Sequence, residues 1–361
     1  MDLSMVGFWC GKTRVGIRVP VTLRAVLLAS VLEVAAMLAS TTPAVALVIN
    51  PTFDASINAQ SNAAAIKAAF NKAAGFYQNA FNDPVTVNIT VSWGTVHGST
   101  IYSGNLGQSW VPWYQYYTLG AVKTYLTRDA TSTNDITAIN SIPMSPPTGT
   151  GRFVIPFAQA KALKLISGTA TATDGYIGFG KTPSSYTFDD SAGVMAGTYD
   201  FVSVAEHEIA EVLGRLSTLN GNSAPTSASI FDLFRYTGVG SPSFAYNAPA
   251  YFSVNGGVTG LANFNNSSSG GDRSDWLSSS LSTDSQAAFL YPGKVLSLSP
   301  ADYAALDILG WTATSTTLSV IAGAKAVGSI TSAGIGAIPE PTGIAVLGVA
   351  LLGLSLARRK N

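Results

Sequence analysis

The 361-residue chain is short of cysteine, histidine, glutamate and charge of either sign. Its one cysteine, Cys10, lies in the first stretch of the sequence, so the body of the chain is excluded from thiol and disulfide chemistry. Charged residues make up only 11%, and 20 Lys+Arg balance 20 Asp+Glu. That balance leaves no basic stripe and argues against a nucleic-acid partner. There is no Gly-rich phosphate loop, and no Gly-x-Ser-x-Gly in a strand-turn-helix setting. What is present excludes disorder: apolar residues reach 47% and aromatics 10%.

Both ends read as addresses. Lys12, Arg14, Arg18 and Arg24 form a basic region, which leaves room for a start at Met5 or later. An apolar run from Ala25 to Ala39 follows, interrupted by Glu33, and Ala44-x-Ala46 fits a small-residue cleavage site. Residues 1–46 are therefore expected to be a signal peptide, cut by signal peptidase, with an uncleaved anchor as the alternative. At the other end Pro339-Glu340-Pro341 precedes an apolar run, Thr342 to Ala357, and then Arg358-Arg359-Lys360. A run of this length barely spans a bilayer, and the basic cluster would stay cytoplasmic. In order and spacing, residues 339–361 resemble the PEP-CTERM sorting signal of Gram-negative bacteria that make exopolysaccharide. The resemblance implies transient anchoring in the inner membrane by a C-terminal transmembrane helix, recognition by an exosortase, and release to the cell surface or matrix. Without the two ends the body has 13 basic and 17 acidic residues, a net charge of −4.

Within the body, apolar positions near helical spacing predict a helix over Ser61–Phe81, stopped by Asn82-Asp83-Pro84. Val85, Val87, Ile89 and Val91 alternate with polar residues and predict a half-buried strand. Trp93 to Trp113 reads as an aromatic loop, followed by a short helix near Leu119–Leu126. Arg152–Leu165 reads as a strand or turn entering a helix, Tyr176–Phe179 as a strand, and Asp200–Leu216 as the strongest helix. Ala250–Val254 reads as a short strand, and Ser299 caps a helix begun by Pro300. Residues 312–338 read as a low-complexity linker.

The scarce residues converge on one helix. Between Leu47 and Ile338 the only glutamates are Glu206, Glu208 and Glu211, and one of the two histidines, His207, lies among them. His207 and Glu211 are four apart and project from the same helical face, where both can ligate one divalent metal. Glu208 follows His207 as the general base follows the first ligand in a His-Glu-x-x-His metalloprotease helix. Glutamate stands here in the second ligand slot, which zinc accepts.

The runs Tyr199–Phe201, Ala205–Arg215, Phe231–Tyr236, Tyr251–Val254, Gly271–Trp276 and Asp307–Trp311 resemble a family of PEP-CTERM-sorted, zincin-like metalloproteases with a His-Glu-x-x-Glu motif. The resemblance covers roughly residues 55–312. It implies an α+β, metzincin-type domain over 47–311, with a small twisted sheet and an active-site helix, a bound Zn2+ and hydrolysis of a protein or peptide substrate.

The third ligand is open. Ser217 occupies the position where the metzincin pattern has its ligand, and a neutral serine binds zinc poorly. Asp232 is the first candidate; an ion pair with Arg215 or Arg235 is its ordinary alternative. His97 is the second, and Asp272 and Asp275 follow, although Gly-Gly-Asp-x-x-Asp also caps turns or binds calcium. With Asp232 the site is formally neutral, so it activates water less than one with His97. Tyr236 is a candidate donor to a tetrahedral oxyanion, or else a buried structural tyrosine. The expectation is a secreted zinc endopeptidase with Glu208 as base. The alternative is an inactive zincin-like surface or exopolysaccharide-matrix protein. The aromatic cluster Trp93, Trp110, Trp113, Tyr114, Tyr116 and Tyr117 reads as packing or as a carbohydrate or peptide platform.

Overall fold

The alternation that begins at Val85 builds the centre of a mixed sheet. In a computed structural model, residues 46–324 are described apart from 146–150, 182–184, 220–226, 269 and 280–281, together with the strands Val6–Cys10 and Thr13–Ile17. These two strands pair as an antiparallel hairpin in a unit of their own. The rest of the expected signal peptide and the whole sorting signal lie outside the described residues. Among the described residues no helix is long and apolar enough to cross a membrane.

The main sheet has four strands: β1 (Val48–Phe53), β2 (Thr86–Trp93), β3 (Gly107–Trp110) and β4 (Gly175–Phe179). Their spatial order is β1-β2-β4-β3. β1 and β4 run parallel to β2, and β3 closes one edge antiparallel to β4, with Ser109 opposite Ile177. Val87, Ile89 and Val91 are buried, as the alternation predicts. The connection from β1 to β2 carries α1 (Ala63–Ala80), which buries Ile66, Phe70, Ala73, Ala74 and Tyr77. Phe70 meets Phe53 and Phe179 at ring separations of 5.7 and 6.3 Å, so one face of the sheet and α1 share an aromatic core.

The glutamate-bearing helix is α2 (Phe201–Val212). Asp200 caps it, accepting from Val202 N at 3.1 Å, which is worth about 1 kcal/mol. Its other end stops four residues before the expected Leu216, because Gly214 adopts φ +109°. Gly214 N donates to Glu211 O and Arg215 N to Ala210 O, the paired bonds of a Schellman turn. The indole of Trp311 adds a donor to Leu213 O at 2.8 Å. The expected amphipathic helix is in fact buried nearly all round: of Phe201–Val212 only His207 is partly exposed. α2 packs on α1, β3 and β4, and Tyr77 Oη donates to Glu206 O at 2.6 Å.

The segment read as an aromatic loop holds β3 and a hairpin, Thr95–Val96 with Ser99–Thr100. Gly-Gln-Ser-Trp carries no alternation, so its strand character comes from pairing with β4 rather than from propensity. A second sheet joins Trp113–Tyr117, Phe153–Pro156 and Ala228–Ser229. A third groups Ser241–Pro242, Arg235–Gly238, Tyr251–Phe252 and Ala262–Asn263. α3 (Pro300–Ile308) starts at the capping box of Ser299 and Asp302. The segment read as linker begins with a packed helix, α4 (Ser315–Ala322), and Thr317 Oγ1 donates to Ala80 O at 3.0 Å. This mixed architecture is α+β.

Candidate metal centre

α2 turns His207 and Glu211 toward the same side, and the loop before Trp276 brings Asp275 to meet them. One ligand atom of each of the three lies within 4.8 Å of the others. His207 Nε2 is 3.4 Å from Asp275 Oδ1. The opposite ring nitrogen, Nδ1, is 3.0 Å from Ser285 O. A carbonyl only accepts, so Nδ1 donates to it and Nε2 is the ring nitrogen turned to the cluster.

Asp275 is 3% exposed, and its Oδ1 has no hydrogen-bond partner. Its Oδ2 accepts from Asp272 N at 3.1 Å. The loop is fixed by Asn265 N to Asp275 O at 2.8 Å and Trp276 N to Gln286 O at 2.9 Å. Trp276 in turn donates to Asp302 Oδ1 at 2.7 Å and stacks under the Arg215 guanidinium at 4.3 Å. Glu211 accepts from Ser109 Oγ at 2.6 Å. Glu208 is buried beside this group, with Oε2 unpartnered. Asp272 stands at the exposed rim.

The electrostatics are those of crowded carboxylates. Burial, then Glu211, Asp272 and Asp275, push Glu208 well above the usual carboxylate range. Burial raises Glu211, opposed by His207. Burial and then Asp272 push Asp275 well up, and the Glu211 carboxylate raises Asp272 to about 6. A divalent cation answers this arrangement. Asp275 Oδ1, without a hydrogen bond, faces His207 Nε2, and one nitrogen with two carboxylates balances two positive charges. Beside it opens a cleft of about 250 Å³, lined in part by Glu211, Asp272, Trp110 and Trp113.

Comparison of the chain with protein-family models, with curated proteins and with solved structures gave no match.

The structure thus unites His207, Glu208 and Glu211 with Asp275 and leaves two expected residues elsewhere. Asp232 is not the third member. Its Oδ1 accepts from Ser217 Oγ at 2.6 Å, and its Oδ2 from Ser229 N and Oγ at 2.9 and 3.0 Å and from Thr218 N at 3.3 Å. With Arg235 also opposing the upward push of burial, Asp232 is fully occupied in tying a turn. Tyr236 is buried, and its hydroxyl is taken up in a bond to Ser141 O at 3.0 Å. His97 sits at a turn with φ +45° and stacks on Trp110 at 4.0 Å. Ser109 carries no sequence signal, because its role depends on the register of β3. Asp275 was findable only as one acid of Gly-Gly-Asp-x-x-Asp.

Proposed function

We propose that the chain is a secreted, zinc-dependent endopeptidase of zincin-like architecture, with Asp275 rather than Asp232 as third ligand. The observation that carries the reading is the buried, unpartnered Asp275 Oδ1 beside His207 Nε2, on a group completed by Glu211. His207, Glu211 and Asp275 would hold the ion, and a bound zinc supplies Lewis-acid polarisation at the reacting carbonyl and water.

The chain's own residues account for the rest. Ser285 O holds the His207 ring in the tautomer that frees Nε2. Glu208 takes a proton from the water that attacks the peptide carbonyl carbon. It returns that proton to the amine nitrogen as the C–N bond breaks. Trp110, Val111, Trp113 and Leu216 line one side of the cleft. Export by the N-terminal signal and exosortase handling of residues 339–361 belong to the same proposal.

A second reading, an inactive surface or exopolysaccharide-matrix protein, draws support from aromatic rings left open to solvent: Trp110, Trp113 and Tyr116 are 43%, 38% and 54% exposed. Elemental analysis of the purified full chain beside Glu211→Ala separates the two. One zinc per wild-type chain, lost in the variant, supports the peptidase. Glu208→Gln should then keep the metal and abolish cleavage of a denatured-protein substrate. A wild-type chain that takes up no zinc leaves the matrix reading.

A further inference from the structure

We propose that β3 is a positioning strand, whose inward pair Gly107 and Ser109 sets the carboxylates of Glu208 and Glu211. The Ser109 half rests on the metal reading above, and the Gly107 half stands on packing alone. In a strand, residues two apart share a face. Gln108 and Trp110 face solvent, while Gly107 and Ser109 are the half-buried pair. α2 packs against this strand. The residues meeting α2 are therefore the two smallest of the four.

Each of the two has a distinct task. A Cβ on Gly107 would overlap Glu208 Oε1, lie 3.0 Å from Glu208 Cδ and 2.8 Å from Val204 Cγ1. A side chain at position 107 would therefore have to displace the Glu208 carboxylate and press on Val204. The neighbouring carboxylate is held by attraction. Ser109 Oγ donates to Glu211 Oε2 at 2.6 Å, on the residue that also faces His207 and Asp275. Glu208 and Glu211 are three apart on α2, and Gly107 and Ser109 two apart on β3, so the strand meets the two acids in register. Steric vacancy at one position and a hydroxyl donor at the next give two buried carboxylates different orientations on one helix.

A double-mutant cycle tests the Gly107 half with thermal midpoint as its readout. Gly107→Ala should lower the midpoint of the full chain at least about twice as much in the wild-type background as in Glu208→Ala, where the carboxylate is gone. Residual loss in the second background comes from Val204. Equal losses in both backgrounds, insolubility included, overturn the assignment. Co2+ tests the Ser109 half through its visible absorption. Ser109→Ala should bind Co2+ about 10- to 100-fold more weakly with a changed spectrum, and Ser109→Thr should restore both. Unchanged affinity and spectrum in Ser109→Ala overturn this half. A wild-type chain without Co2+ affinity removes the metal reading and the Ser109 assignment with it. The Gly107 cycle still stands or falls by itself.

Discussion

Asp232 and Asp275 are both buried aspartates on irregular backbone, each accompanied by arginine, and they do opposite things. Asp232 receives four hydrogen bonds, which use both oxygens to tie residues 217–218 to Ser229. Asp275 receives one on Oδ2 and keeps Oδ1 bare beside an imidazole nitrogen. Burial raises the pKa of both. The inventory of donors, rather than burial or charge, separates a carboxylate that braces a turn from one free to meet a cation.

The strongest way to break this contrast is substitution of both. Asp275→Asn should lower zinc affinity by about 100-fold or more, read by competition with a chromogenic chelator, while Asp232→Asn leaves it unchanged. Equal losses would erase the distinction. The opposite ranking should hold for folding. Asp232→Ala strands its donors and leaves Arg235 uncompensated, at a cost of roughly 3–5 kcal/mol in denaturant unfolding. Asp275→Ala, measured without metal, should unfold no more easily than wild type, since it removes a charge that burial disfavours.

A pH series sharpens the point. Burial raises Glu206 and Asp284 to about 8 and Asp83 to about 6. These folded values exceed the unfolded ones, so the folded chain holds extra protons between pH 4 and 8. Stability is then greatest below the unfolded values and falls as pH rises through the folded ones, by up to roughly 1.4 kcal/mol per pH unit for each group. The melting midpoint of the metal-free chain should therefore be lower at about pH 8.5 than at about pH 5.5. Glu206→Gln should recover part of that loss. The smallest effect is expected at Tyr236→Phe, about 1 kcal/mol for the bond to Ser141 O, with metal content unchanged.

What the sequence made legible was local. Strand β2 followed from strict alternation, α1 from helical spacing, and the metal-facing residues of α2 from the crowding of every body glutamate into six positions. The end of α2 was misplaced because apolar residues continue past Gly214, whose left-handed backbone breaks the helix. β3 was invisible because a four-residue edge strand is defined by its partner. Asp275 was one of several acids at comparable distance along the chain, and only the fold decides among them. Asp232 was the first candidate, but Ser217 and Ser229, which the fold brings to it, consume its oxygens. α4 was hidden in small residues that read as spacer.

The far end of the domain closes onto its beginning. Thr312 N and Oγ1 donate to Asp83 across a sequence separation of 229, Thr317 reaches Ala80 across 237, and Trp311 caps α2 across 98. Such contacts form only after long loops have closed, so they raise contact order and slow folding. A nascent chain has the whole metal-facing helix long before it has the indole that satisfies that helix's last carbonyl. That late stitch closes the end of the metal-facing helix, and a chain cut short of Trp311 leaves the Leu213 carbonyl without its indole donor.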